Sequence, residues 1–124
     1  EDEAGPVDVL VNNAGIDITK SIADHTHEEV GRIVQVNLTT PMDLCRQVIP
    51  RLVHRGRGHI VNVSSVAGRF ASLGAGVYNL TKFGVGAFAS AYAVTTSEQP
   101  FLVGLAAGAG IGFLISGRNK RRQP

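Results

Sequence analysis

Ile60-Val61-Asn62-Val63-Ser64-Ser65, followed thirteen residues after its last serine by Tyr78-Asn79-Leu80-Thr81-Lys82, reads as a strand, a loop and a helix. The apolar, β-branched run at residues 59–64 suits a buried strand, and Gly56-Arg57-Gly58 before it suits the end of a helix and a turn. Residues 68–76 are expected to loop, and a helix is expected to start near Val77. A tyrosine and a lysine four apart on a helix face the same way. The Lys82 ammonium is then placed to favour the phenolate form of Tyr78, making that phenol a proton donor and acceptor. Ser65, at the strand's end, could set its hydroxyl beside the same phenol and hold a carbonyl oxygen. Taken alone, such a pair more often means a half-buried ring with a lysine stem packed along it.

Working outward, Val9-Leu10-Val11-Asn12-Asn13-Ala14-Gly15 ends a second apolar strand, expected from about Val7 to Asn12. Thr26 and Glu29 have the spacing of a capping box and open a helical run carrying Val30, Ile33, Val34 and Leu38. Pro41 predicts a kink or restart, and Asn37 falls just ahead of it. A polar side chain there could bind a local carbonyl or a water, or be a satisfied buried asparagine. With these four motifs in this order, residues 5–92 resemble the short-chain dehydrogenase/reductase family. The resemblance implies an α/β fold, part of a Rossmann-type doubly wound parallel sheet. It implies that Asn12, Asn13, Ala14 and Gly15 form a turn that braces the sheet and lines a cofactor cleft. It implies Asn37, Ser65, Tyr78 and Lys82 as the catalytic set, with Tyr78 as general acid/base and Ser65 positioning the carbonyl. Lys82 would bind the nicotinamide ribose, and Asn37 would hold a water in the proton relay. Cofactor contacts are thus expected at Asn12, Ala14, Gly15, Tyr78 and Lys82. The cofactor would be NAD or NADP, and the substrate a small alcohol or carbonyl compound.

At 124 residues the chain is about half the length such a domain needs. A first βαβ unit, with its glycine-rich phosphate loop and the residue that selects NAD or NADP, is expected upstream of Glu1. With so few strands and helices, the apolar edges at Val9 to Val11 and Ile60 to Val63 are expected to lie open. The net charge of +2 gives no sign of a nucleic-acid partner. The lone Cys45 predicts a packed small side chain and fits a cytoplasmic setting. His25, His27, His54 and His59 lack zinc-site spacing and are expected on the surface or in loops, with no metal.

Beyond Phe88 the resemblance is expected to fade, because the next strand and the loop after it are not recognisable. Residues 93–100 read as a linker, and residues 101–117, from Phe101 to Gly117, form an uncharged run before the basic tip at 118–124. That run predicts a hydrophobic helix near the short limit for spanning a bilayer, with Gly104, Gly108 and Gly112 as a small-residue stripe. It resembles the glycine-rich anchor of small inner-membrane proteins of the ElaB/YqjD type. This implies tethering to the inner membrane with a cytoplasmic C-terminus. Gly104, Gly108 and Gly110 also repeat the spacing of a phosphate loop, here at the opposite end of the chain. The leading expectation is a truncated, weakly active NAD(P)-dependent oxidoreductase acting on CH-OH groups, with an oligomer left open. Its alternatives are a membrane-anchored non-enzymatic protein carrying a relic dehydrogenase segment, or a mis-joined gene product.

Overall fold

In the computed structural model, residues 5–95, 102–107 and 111–116 are described, the side chains as far as Ala89. Strand β1 (Val9–Asn12) leads through a short 3-10 turn (Ile22–Asp24) into α1 (His27–Val34). A π-helical turn (Gln35–Thr39) joins α1 to α2 (Thr40–Arg55), and β2 (His59–Ser64) follows. A second 3-10 turn (Val66–Gly68) precedes α3 (Gly76–Thr95), and then come β3 (Leu102–Ala107) and β4 (Ile111–Ser116). The sheet order is β1-β2-β3-β4. The first two pairings are parallel and the last is antiparallel.

Local chemistry explains each boundary. The Thr26 hydroxyl accepts from Glu29 N while the Glu29 carboxylate accepts from Thr26 N, so the capping box starts α1. Pro41 has no N–H to return to the carbonyl of Asn37 four residues back, and the π-helical turn sits at this gap, with Thr40 N donating to Gln35 O. At the far end of α2, Gly56 takes the left-handed conformation (φ 66°) that a C-cap favours.

Leu10 pairs with Ile60 and Asn12 with Asn62, and these residues share one face of the sheet with Ser64. Cys45, Val48 and Leu52 of α2 close over Ile60, with Val7, Leu10, Ile49 and Phe88 packed around them. Cys45 is thus the packed core residue expected from the sequence. Burial pushes its thiol pKa up, and Asn12 Nδ2 donates to Sγ at 3.4 Å. On the opposite face Val9 and Val11 are 52% and 54% exposed, as expected for an open strand; Ile60, also expected to lie open, is instead covered by α2 on its own face.

The carboxyl end of the chain departs from expectation. Residues 102–107 and 111–116 are strands, not a hydrophobic helix. Among the described residues, no helix is long and apolar enough to cross a membrane. The inner-membrane tether, the ElaB/YqjD-like anchor and the small-residue stripe therefore have no support. The physical reason is twofold. Glycines at 104, 108, 110 and 112 weaken a helix, and the edge of β2 offers a full ladder, with Ile60 opposite Val103 and Asn62 opposite Leu105. Gly104 and Gly112 fall in strands opposite Leu114 and Ala106, whereas Gly108, Gly110 and the basic tip lie outside the described residues. The strand after α3 that the sequence did not reveal is β3, and α3 itself continues to Thr95, into the expected linker.

Candidate active site

The carboxyl ends of β1 and β2, the π-helical turn and the first turns of α3 meet at one place. Asn37, 1% exposed, is fixed there by three hydrogen bonds. Its Oδ1 accepts from Ile16 N (2.8 Å), and its Nδ2 donates to Ile16 O (2.8 Å) and Thr81 Oγ1 (3.2 Å). Both amide hydrogens are thereby used. The side chain keeps only spare acceptor capacity on Oδ1 for the expected water.

Lys82 lies beside Asn37, only 4% exposed, and burial lowers its pKa below the usual lysine range. Its Nζ donates to Val63 O at 3.2 Å and stands 5.6 Å from the centroid of the Tyr78 ring, within cation–π reach. The bare Cα of Gly15 leaves room at this point. A Cβ there would be 3.3 Å from Lys82 Nζ and 3.6 Å from Asn37 Oδ1.

Ser65 is extended (φ −149°, ψ 163°) at the end of β2 and caps the 3-10 turn, its Oγ accepting from Ala67 N at 3.2 Å. That bond occupies a lone pair and leaves the hydroxyl hydrogen to be donated elsewhere. Neighbouring Ser64 points the other way, into the interior, where it donates to Lys82 O at 3.0 Å and ties β2 to α3. The approach is close enough that a Cβ on Gly68 would meet Ser64 Oγ at 2.7 Å and Lys82 O at 2.8 Å.

Asn37, Lys82 and Gly15 are thus brought together, with the Tyr78 ring near Lys82, and Ser65 directly follows the strand that supplies Val63 O. Asn13 and Ala14 are exposed in the same turn. Asn12 is placed apart from them. It is buried under α2 and donates to Asn62 Oδ1 at 2.8 Å, which braces β1 against β2.

Sequence reasoning missed two side chains. Asn79, buried next to Tyr78, donates to Ala67 O (2.7 Å) and Phe70 O (2.9 Å) and accepts from Ser72 N (3.2 Å). It clamps the loop that carries Ser65. Thr81, fully buried, donates to Tyr78 O (2.7 Å) while accepting from Asn37. The available signal was weak: both are polar residues inside an apolar helix.

Comparison with known proteins identifies the family. Residues 1–116 match the short chain dehydrogenase family, past the point where the resemblance was expected to fade and through the segment read as an anchor. The ketoacyl reductase HetN of Nostoc is 40% identical over 85 residues, which are 68% of this chain and 30% of that protein. Acetoacetyl-CoA reductase of Cupriavidus necator is 38% identical over 91 residues, 73% of this chain and 37% of that protein. Among solved structures, a metagenomic short-chain oxidoreductase in complex with NADP superposes with a TM-score of 0.82 at 30% identity. It covers 88% of this chain, which spans 50% of its length. A 4-hydroxyisoleucine dehydrogenase complexed with NADH gives a TM-score of 0.72 at 27% identity, covering 76% of this chain and 42% of its own. The chain therefore spans half or less of each of these relatives.

Proposed function

We propose, for a chain that belongs to the short-chain dehydrogenase family, that its residues serve hydride exchange between a nicotinamide cofactor and an alcohol or carbonyl substrate. The observation that carries this reading is the convergence of Lys82, Asn37 and the bare Cα of Gly15, with the Lys82 ammonium 5.6 Å from the centroid of the Tyr78 ring. The residues fit the nicotinamide end of NAD(P). Lys82 is a buried ammonium whose hydrogen-bond partner among the described residues is Val63 O, so it has N–H capacity left for ribose hydroxyls. Gly15 leaves the space beside it open. Bound nicotinamide would supply the hydride to a carbonyl carbon, or take it from an alcohol.

In the reducing direction Tyr78 gives its phenolic proton to the substrate oxygen, and in the oxidising direction it takes that proton back. The Ser65 hydroxyl, its oxygen already engaged by Ala67 N, donates its hydrogen to the same substrate oxygen and holds the carbonyl in line. Lys82 stabilises the charge left on the phenol oxygen when the proton departs. Asn37 holds the Ile16 backbone against the π-helical turn. Its carbonyl, denied the usual helical donor by Pro41, is the acceptor we assign to a relay water. The names of the relatives suggest a 3-oxoacyl thioester as the first substrate to try.

Because the fit is to the nicotinamide end, reduced nicotinamide mononucleotide is expected to bind this chain about as tightly as NADH. Lys82→Met is expected to weaken both by roughly tenfold, the loss of one charge-assisted bond. Fluorescence titration of the reduced nicotinamide measures this. Lys82-independent binding would contradict the reading.

A further inference from the structure

Thr81 is 0% exposed, and its hydroxyl is engaged on both sides. A threonine in a helix commonly returns its hydroxyl hydrogen to a carbonyl one turn back, and Thr81 does so to Tyr78 O at 2.7 Å. What sets it apart is the second bond, in which the Asn37 amide, 44 positions away in sequence, donates to the same oxygen at 3.2 Å. The other groups of that amide grip Ile16 N and Ile16 O at 2.8 Å each. An unbroken chain of hydrogen bonds thus runs from the backbone after Gly15, through Asn37 and Thr81, to the carbonyl of Tyr78. Packing follows the same line: α3 approaches the π-helical turn so closely that a Cβ on Gly84 would meet Leu38 Cδ1 at 3.0 Å.

We propose that Thr81 is a positioning residue that couples the orientation of Asn37, and through it the cofactor-side loop at Gly15 and Ile16, to the helical turn that bears Tyr78 and Lys82. The significance of this coupling rests on the catalytic reading given above. One buried hydroxyl holds in register the elements that would carry the hydride partner and the proton donor. Without it, one Asn37 amide hydrogen is buried with no acceptor, a penalty relieved only when the Ile16 loop opens to water. The oxygen is what matters, since valine matches threonine in shape and serine keeps the hydroxyl on a smaller side chain.

Amide hydrogen exchange of the full 124-residue chain, followed by NMR, tests this without any cofactor. The Ile16 N–H is expected to exchange roughly tenfold faster in Thr81→Val, the size of one unsatisfied buried hydrogen. In Thr81→Ser it should stay within about twofold of the parent on the same scale, and the amides of β1 and β2 should be unchanged in both. An unchanged Ile16 rate in Thr81→Val, or an equal acceleration in Thr81→Ser, would overturn the proposal. So would loss of protection throughout the molecule in both Thr81→Val and Thr81→Ala, because the hydroxyl would then hold the whole fold and not this connection. Failure here leaves Lys82-dependent nicotinamide binding untouched, so the two readings fail separately.

Discussion

Side by side in sequence, Tyr78 and Asn79 point to different tasks. The ring of Tyr78 lies near the Lys82 ammonium, while the Asn79 carboxamide is buried against the loop that follows Ser65 and uses both hydrogens and its oxygen there. Ala67 joins the two tasks, since its N–H donates to Ser65 Oγ and its carbonyl accepts from Asn79. Asn79→Ala would strip three backbone groups of their partner at once. The expected cost is about 1–3 kcal/mol, part of it recovered because the loop can reach water. A lower urea midpoint with an unchanged slope, together with faster exchange at the Ser72 amide, is the expected result. Unaltered exchange at Ser72 would show that the loop is held by other means, such as the Lys20 N to Gly74 O bond.

At the scale of elements, α1 owes its start to a device that also responds to pH. Lys20 bonds both carboxylate oxygens of Glu29, at 2.7 and 2.8 Å, and together with the Thr26 N–H holds the Glu29 pKa down to about 2 from 4.5. A carboxyl whose folded pKa is depressed adds stability that is complete above its unfolded value and is lost as pH falls toward the folded one. Stability should therefore rise with pH between about 2 and 4.5 on this account. Lys20→Met should flatten that rise, as read from Tm against pH. The capping box, the break at Pro41, the stop at Gly56 and the strand at residues 59–64 were all legible in sequence, because each rests on contacts within a few residues. The strands at 102–107 and 111–116 were not. Their apolar, glycine-rich residues suit a helical stripe as well as a ladder, and what decides between them is the β2 edge, a partner some forty positions distant. The candidate site divides in a similar way. Of the residues proposed for it, Tyr78, Lys82 and Ser65 stand out by type and spacing and Asn37 only through the family resemblance, whereas Asn79 and Thr81 take their places through bonds to loops and to the π-helical turn.

Taken whole, the chain presents the central strands of a Rossmann-type sheet with α2 and α3 over one face, while Val9 and Val11 on the other stand half exposed. On the reading proposed above, the described residues suited to NAD(P) hold its nicotinamide end, and cofactor affinity and turnover are expected to be low. The central claim, that Tyr78 moves a proton while nicotinamide moves a hydride, is tested most directly by a label and not by a rate. NADH deuterated at C4 is incubated with the chain and acetoacetyl-CoA, and the 3-hydroxybutyryl product is examined by mass spectrometry for deuterium at C3. The account predicts labelled product above the buffer control, reduced by roughly a hundredfold or more in Tyr78→Phe, the usual weight of a positioned proton donor. Equal labelling by the parent chain and by Tyr78→Phe, or none above buffer, would contradict it.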